Sequence, residues 1–271
     1  MLTIETLDGI QYNIEEYGMR VIDFQIDAPS PRYVTETAEG RDGDIDLGGT
    51  YGPRNIRAKF KVKAVDTHDS QLLRNDIFQL FFSHKTFYLI SKYEPGKRWK
   101  VKTAASFTPS RINHVMSEIE VNFVCNDTYA ESIPTTLSLK EWDVDLWQWG
   151  MGIEWEDYNY IHNVNSFVIY NASNVVIDPR FMDLVITIKA TASEYIELVN
   201  QTAGETYRYN GALTTSDTLK IDGIRSTKNN LSVFRQTNKK LITLNPGENQ
   251  FIVNGTSVIE SISFEFRFKY L

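Results

Sequence analysis

The sequence predicts a mainly β protein in two parts: an antiparallel β domain with one α-helix over residues 1–130, and a β-sandwich or jelly roll over 131–271. Three observations carry that reading. Long runs such as Asn55 to Val65 and Ser261 to Tyr270 alternate apolar and polar residues, the period of a half-buried strand. A single stretch, 67–84, gathers apolar residues at helical spacing. Turn pairs such as Asp8-Gly9, Pro95-Gly96, Asn210-Gly211, Asp222-Gly223 and Asn254-Gly255 punctuate the chain from end to end.

Composition bounds what such a fold does. At 271 residues, 42% hydrophobic and 13% aromatic, the chain fills two ordinary cores. Its 28 basic and 35 acidic residues give a net charge of −7, which argues against a protein that holds nucleic acid phosphates. The single cysteine, Cys125, ends an alternating strand and reads as a buried thiol. The first residues lack a cationic start, and nowhere do about eighteen apolar residues run together, so the expectation is a protein made in the cytoplasm with no membrane insertion. In that setting the Asn-x-Ser/Thr triplets at Asn126, Asn171 and Asn200 are chance matches.

In chain order, Leu2–Thr6 and Gln11–Ile14 flank Asp8-Gly9 and predict a first hairpin. Met19–Gln25 continues the β pattern. Ala28–Gly52, rich in Pro, Gly and Asp, predicts a long loop, the kind of segment that reaches toward a partner. Within it Asp42, Asp44 and Asp46 alternate as in a calcium loop, but the sixth position is Leu47, Gly48 falls one place late and the closing position is Pro53. A solvated acidic turn is the expectation, with no metal and no other cofactor. The next strand turns Ile56, Ala58, Phe60, Val62 and Ala64 to one side and Asn55, Arg57, Lys59, Lys61 and Lys63 to the other. A helix over 67–84 follows, capped by Thr67, Asp69 or Ser70 and burying Leu73, Ile77, Leu80 and Phe81. Phe87–Ile90 is a strand returning to the same core.

The stretches Glu39-Gly40-Arg41-Asp42-Gly43 and Tyr51-Gly52-Pro53-Arg54-Asn55-Ile56, with the strand, helix and strand behind them, resemble the N-terminal domain of the distal tail protein (Dit) family of long-tailed bacteriophages. That resemblance implies a structural tail-tip protein in the virion, assembled in the host cytoplasm. It implies a homo-hexameric ring built by the N-terminal domains at the end of the tail tube, in contact with the tail tube protein and the tail-associated tip protein.

Arg98–Thr103 turns Trp99, Val101 and Thr103 against Arg98, Lys100 and Lys102, and Ser117–Cys125 turns Ile119, Val121, Phe123 and Cys125 inward. Two readings of the cationic strand faces stand: a solvated, edge-protecting face, or a docking face for an acidic surface. The second, joined to the acidic loop, makes Glu39, Asp42, Asp44, Asp46, Arg57, Lys59 and Lys61 the candidate ring interface.

The polar segment Asn126–Thr136 marks the domain boundary. Beyond it Trp142, Trp147, Trp149 and Trp155 lie close together, interleaved with Glu154, Glu156 and Asp157. They fit core packing or a protein interface, a sugar platform of rings and carboxylates, or a catalytic carboxylate pair. Trp147, Trp149, Trp155 and Glu154 are the candidate carbohydrate or partner contacts. From Ser166 onward short strands alternate with turns. Thr218-Leu219-Lys220-Ile221-Asp222 and Leu244-Asn245-Pro246-Gly247-Glu248-Asn249, with the closing strand, resemble the galectin-like C-terminal domain of the same family. That implies an outward-facing domain that carries a receptor-binding protein or touches cell-wall carbohydrate. A carbohydrate-binding module fused to an adaptor is the alternative. His68, His84, His114 and His162 are scattered and no nucleophile elbow, P-loop or dinucleotide pattern occurs, so no enzyme is expected.

Overall fold

The computed structural model describes residues 2–81, 85–138, 147–148, 150–153 and 158–271. The chain is mainly β and divides into two compact units, one running to Ala130 together with Leu271, the other Glu131–Tyr270.

The first unit contains β1 (Leu2–Thr6), β2 (Gln11–Asn13), β3 (Met19–Ile26), β4 (Pro31–Thr37), β5 (Asp44–Tyr51), β6 (Arg54–Lys63), α1 (Thr67–Phe81), β7 (Phe87–Ser91), β8 (Glu94–Thr103), β9 (Ser110–Arg111) and β10 (Met116–Cys125). Seven strands hydrogen-bond in the order β2-β1-β7-β8-β10-β6-β3, and β9 adds to β10. The pairings are antiparallel. The first turn is the expected one, with Gly9 at φ +81°, a conformation that favours glycine. Along β6 and β10 the register pairs Phe60 with Ile119, Ala58 with Val121 and Ile56 with Phe123, so the alternation in each strand puts one continuous apolar layer inside.

Helix α1 lies on that layer. Its cap pairs Asp66, one place before the predicted candidates Thr67, Asp69 and Ser70, with Asp69 among them: the Asp66 carboxylate accepts from the Asp69 N–H at 2.8 Å, and Asp69 reaches back to the Val65 N–H at 2.7 Å. This is a reciprocal cap of the capping-box kind. Ile77 and Phe81 are buried, while Leu73 and Leu80 are half-buried. The Phe81 ring meets Phe60 at 5.4 Å and Phe123 at 5.7 Å. Cys125 is buried, and burial, with Asp127 adding to it, pushes its thiol up to about 11, the inert form the sequence suggested.

β11 (Ala130–Ser132) stands at the division. The second unit holds β12 (Ile161–His162), β13 (Ser166–Asn171), β14 (Leu184–Thr191), β15 (Tyr195–Asn200), β16 (Glu205–Asn210), β17 (Leu219–Asp222), β18 (Arg225–Lys228), β19 (Leu231–Ser232), β20 (Gly247–Asn254), β21 (Val258–Phe266) and β22 (Lys269–Tyr270). A six-stranded sheet, β12-β21-β14-β17-β18-β19, and a four-stranded sheet, β13-β20-β15-β16, make the sandwich. The alternating closing run, expected as one strand, is broken after Phe266, yet Ile262, Phe264, Phe266, Phe268 and Tyr270 are all buried. Phe264 meets Phe251 of the other sheet at 4.9 Å. Leu241–Leu244, expected as a strand, forms only an isolated bridge from Leu244 to Ile177.

Buried asparagines tie the turns of this sandwich. Asn249 is fully buried; its amide donates to the Asn245 carbonyl at 2.8 Å and its oxygen accepts from the Asn245 N–H at 2.9 Å. Asn200, also fully buried, donates to the Thr243 carbonyl at 2.8 Å and accepts from the Thr202 N–H at 3.1 Å. Each satisfies backbone groups that a turn leaves without a ladder partner.

Candidate functional site

The segment expected as a long loop is a β-hairpin. β4 and β5 pair from Pro31 with Tyr51 to Thr37 with Asp44, with a register shift between Tyr33 and Thr35. They form a two-stranded sheet of their own. The local reasons are visible: Gly40 and Gly43 take positive φ at the tip, Thr37 donates to Asp44 at 3.0 Å, and the Asp46 carboxylate accepts from the Gly48 N–H at 2.8 Å. The hairpin is exposed along nearly its whole length. Tyr33 is 74% and Leu47 57% exposed, with Val34 and Tyr51 also out in solvent. A two-stranded ribbon is marginal in water by itself. Of the loop acids, Asp44 and Asp46 lie on one face of an extended strand, which separates them by about 7 Å. Among the described residues no three His, Cys, Asp or Glu side chains come together as for a metal ion.

The cationic sheet face is more nearly neutral than its sequence suggests, because β6 lies between two strands that carry carboxylates. Lys59 binds Glu118 at 2.9 Å, which raises the Lys59 ammonium, and stands in register with Glu120 on one side and Asp23 on the other. Arg57 reaches Asp27 at 3.4 Å. Lys61 stands between Arg20 and Glu118 in the register. On β8 the pattern repeats: Arg98 is half-buried, bound to Glu5 at 2.7 Å and laid over the Tyr88 ring at 3.8 Å, and Lys100 faces Asp127 at 3.6 Å. Glu39, Asp42, Asp44 and Asp46 are on the hairpin, and Arg57, Lys59 and Lys61 are on the sheet; no hydrogen bond or ion pair joins the two sets among the described residues.

A groove that sequence reasoning did not find runs between α1 and the segment from Thr108 to Ser117. It encloses about 330 Å³. Val62, Leu73, Ile77 and Ile119 form its apolar floor, and Arg74, Arg111 and His114 stand on its rim with no carboxylate in the lining. Arg111 is held by the Asn113 carbonyl at 3.1 Å and by the His114 ring, and Arg74 by Asn75 at 3.2 Å, and among the described residues neither guanidinium has an acidic partner. Lone cations far apart in sequence give no motif; only β9 pairing with β10 brings them beside the helix.

In the second unit, Trp147 is buried and meets the Phe268 ring edge-on at 6.2 Å. Trp149, Trp155, Glu154 and Trp142 lie outside the described residues. Replacing Trp147 with alanine is expected to cost about 3 kcal/mol, lowering the melting temperature by roughly 10 °C. An unchanged melting curve would instead mark Trp147 as part of an open platform.

A family model described as the phage tail protein RIFT-related domain matches residues 7–125. The Dit protein of phage SPP1, described as a paradigm of hub adsorption apparatus in phages infecting Gram-positive hosts, is similar over 100% of both chains, with 15% identity and a TM-score of 0.72. Two structures of the phage p2 baseplate in its activated conformation, with strontium and with calcium, are similar over 98% of this chain and 97% of theirs. They share 11% and 10% identity, with TM-scores of 0.47 and 0.46. No curated protein matches. Among the described residues no helix is long and apolar enough to cross a membrane.

Residues 7–125, nearly all of the first unit, are thus similar to a phage tail protein domain, and that unit presents an exposed hairpin and a cation-rimmed groove. The resemblance to the siphophage distal tail protein family read from the sequence agrees with the matched domain and with a fold shared with the SPP1 Dit protein along the whole chain.

Proposed function

We propose that this protein is a structural component of a siphophage tail tip that assembles as a homo-hexameric ring through its first domain. The ring closes the distal end of the tail tube and joins the tail tube protein to the tail-associated tip protein. The second domain faces outward toward a receptor-binding protein or cell-wall carbohydrate. The role is connective, and no residue is assigned a catalytic part.

The observation that carries this reading is the hairpin β4–β5. A phage tail domain that holds out a self-paired ribbon with Tyr33, Val34, Leu47 and Tyr51 exposed presents apolar surface and two unpaired strand edges. Such surface is stable in solution only when covered. A ring supplies the cover, because a heterologous contact repeated around an axis lets each copy give a ribbon and receive one. Glu39, Asp42, Asp44 and Asp46 are the giving side. The sheet face of Arg57, Lys59 and Lys61 is a weaker receiving side, since carboxylates of its own domain already balance Lys59 and Arg57.

Gold-labelled antibody raised against the protein is expected to mark the distal end of the tail on intact virions in electron micrographs. Label on the capsid or along the tube, or none on virions at all, would overturn the reading.

A further inference from the structure

Resting on the ring reading, we infer that the surface receiving the hairpin is the groove between α1 and the segment 108–117, and that its occupant is the hairpin of a second copy of this chain. The two surfaces match in both of the ways that decide such a contact. The hairpin, from Pro31 to Tyr51, carries five carboxylates, Glu36, Glu39, Asp42, Asp44 and Asp46, against two guanidinia, Arg32 and Arg41, in a chain that is already acidic. The groove is lined by two arginines and a histidine with no carboxylate among them. Steering and register come from such opposed charge, and a wrong partner meets repulsion.

The apolar parts agree as well. By strand alternation exposed Tyr33 lies on the face of Thr35 and Thr37, the cross-strand partners of Asp46 and Asp44, so an aromatic side chain shares a ribbon face with two acids. In the groove, an apolar floor of Val62, Leu73, Ile77 and Ile119 lies under Arg74 and Arg111. An apolar anchor in a pocket with a polar rim is the arrangement that concentrates binding energy. The sheet face is the poorer match: its outer row, Asn55, Arg57, Lys59, Lys61 and Lys63, is polar, and its Lys59 and Arg57 are paired within the domain. Lys59→Glu would also set a new carboxylate beside Glu118, Glu120 and Asp23, so its effect would report local repulsion.

The test is charge reversal and restoration in the full-length protein, read by sedimentation. Wild type is expected to assemble. Arg74→Glu with Arg111→Glu should raise the concentration of half-assembly about 100-fold while circular dichroism stays unchanged, and Asp44→Lys with Asp46→Lys should do the same. The four changes together should recover assembly to within about tenfold of wild type. Should the reversed groove not fold, cysteines at Tyr33 and Gln71 on separate copies, mixed and treated with a short bismaleimide, should cross-link only in the mixture, Cys125 being buried. A wild-type ring that ignores the reversal, or a mixture that does not cross-link, overturns the groove and leaves the ring standing. A wild type that never assembles overturns both.

Discussion

Phe81→Ala is expected to destabilise the first domain by about 3–5 kcal/mol, a large part of what holds a domain of this size folded. Phe81 is fully buried, on the last turn of α1, and its ring touches Phe60 of β6, Phe123 of β10 and Phe107, the last at 6.0 Å. Its carbonyl also accepts the Thr103 hydroxyl of β8, so the same residue ties the helix to the sheet by packing and by hydrogen bonding. Truncation leaves a cavity against three rings that have little room to close over it. Arg74→Ala, one helical face away and exposed, loses an exposed hydrogen bond to Asn75 at 3.2 Å and a contact with the Phe78 ring at 6.0 Å, and should stay within about 0.5 kcal/mol of wild type. Calorimetry of both variants checks the placement: equal losses would mean that α1 buries a different face.

Asn249→Ala is expected to cost the second domain about 4 kcal/mol, through orphaned backbone groups and not through lost volume. The Asn249 side chain is the hydrogen-bond partner of both the N–H and the carbonyl of Asn245, at 2.9 and 2.8 Å, in the turn that leads into β20. It also receives the Asn200 amide at 3.3 Å. A backbone group stranded beside the buried Asn249 site costs about 1–3 kcal/mol, so two of them account for most of the loss. The exposed Asn254 on the same strand, bonded to Glu197 at 3.3 Å, is the control, and Asn254→Ala should change stability by less than about 0.5 kcal/mol. Denaturant titration that found Asn249→Ala within 1 kcal/mol of wild type would show that the turn finds other partners.

What was legible in the sequence was what period and turn chemistry encode. The alternation of β6 and β10 was read residue for residue, because each strand is buried on one face only and a one-residue slip would expose every large side chain. The same reasoning found the five inward side chains of the closing run, though not its break after Phe266, where Arg267 turns to bond the Ser132 carbonyl at 3.1 Å. The hairpin β4–β5 was missed because its strands have no buried face: Thr35, Glu36, Asp44 and Asp46 carry no apolar alternation, and only cross-strand pairing defines them. Of the caps read as Thr67, Asp69 and Ser70, Asp69 takes part, but its partner Asp66 was missed, since neighbouring Asp and Thr residues are all good caps and only geometry chooses among them.

The candidate surfaces were half legible. Charge along β6 was plain, but whether it is free depends on Asp23 and Glu118 in the neighbouring strands, which sequence order does not place beside it. The groove left no mark at all, being made by residues from β6, α1, β9 and β10 that approach only in the fold. Asn249 reads as one of several turn asparagines until its burial is known.

The central claim is that the first domain makes a closed ring, and mass in solution measures it most directly. Light scattering of the purified full-length protein, with electron microscopy of the same sample, should find a species of six 31.2 kDa chains with a central opening. A single 31.2 kDa species at every concentration, with no ring in the images, would contradict the account.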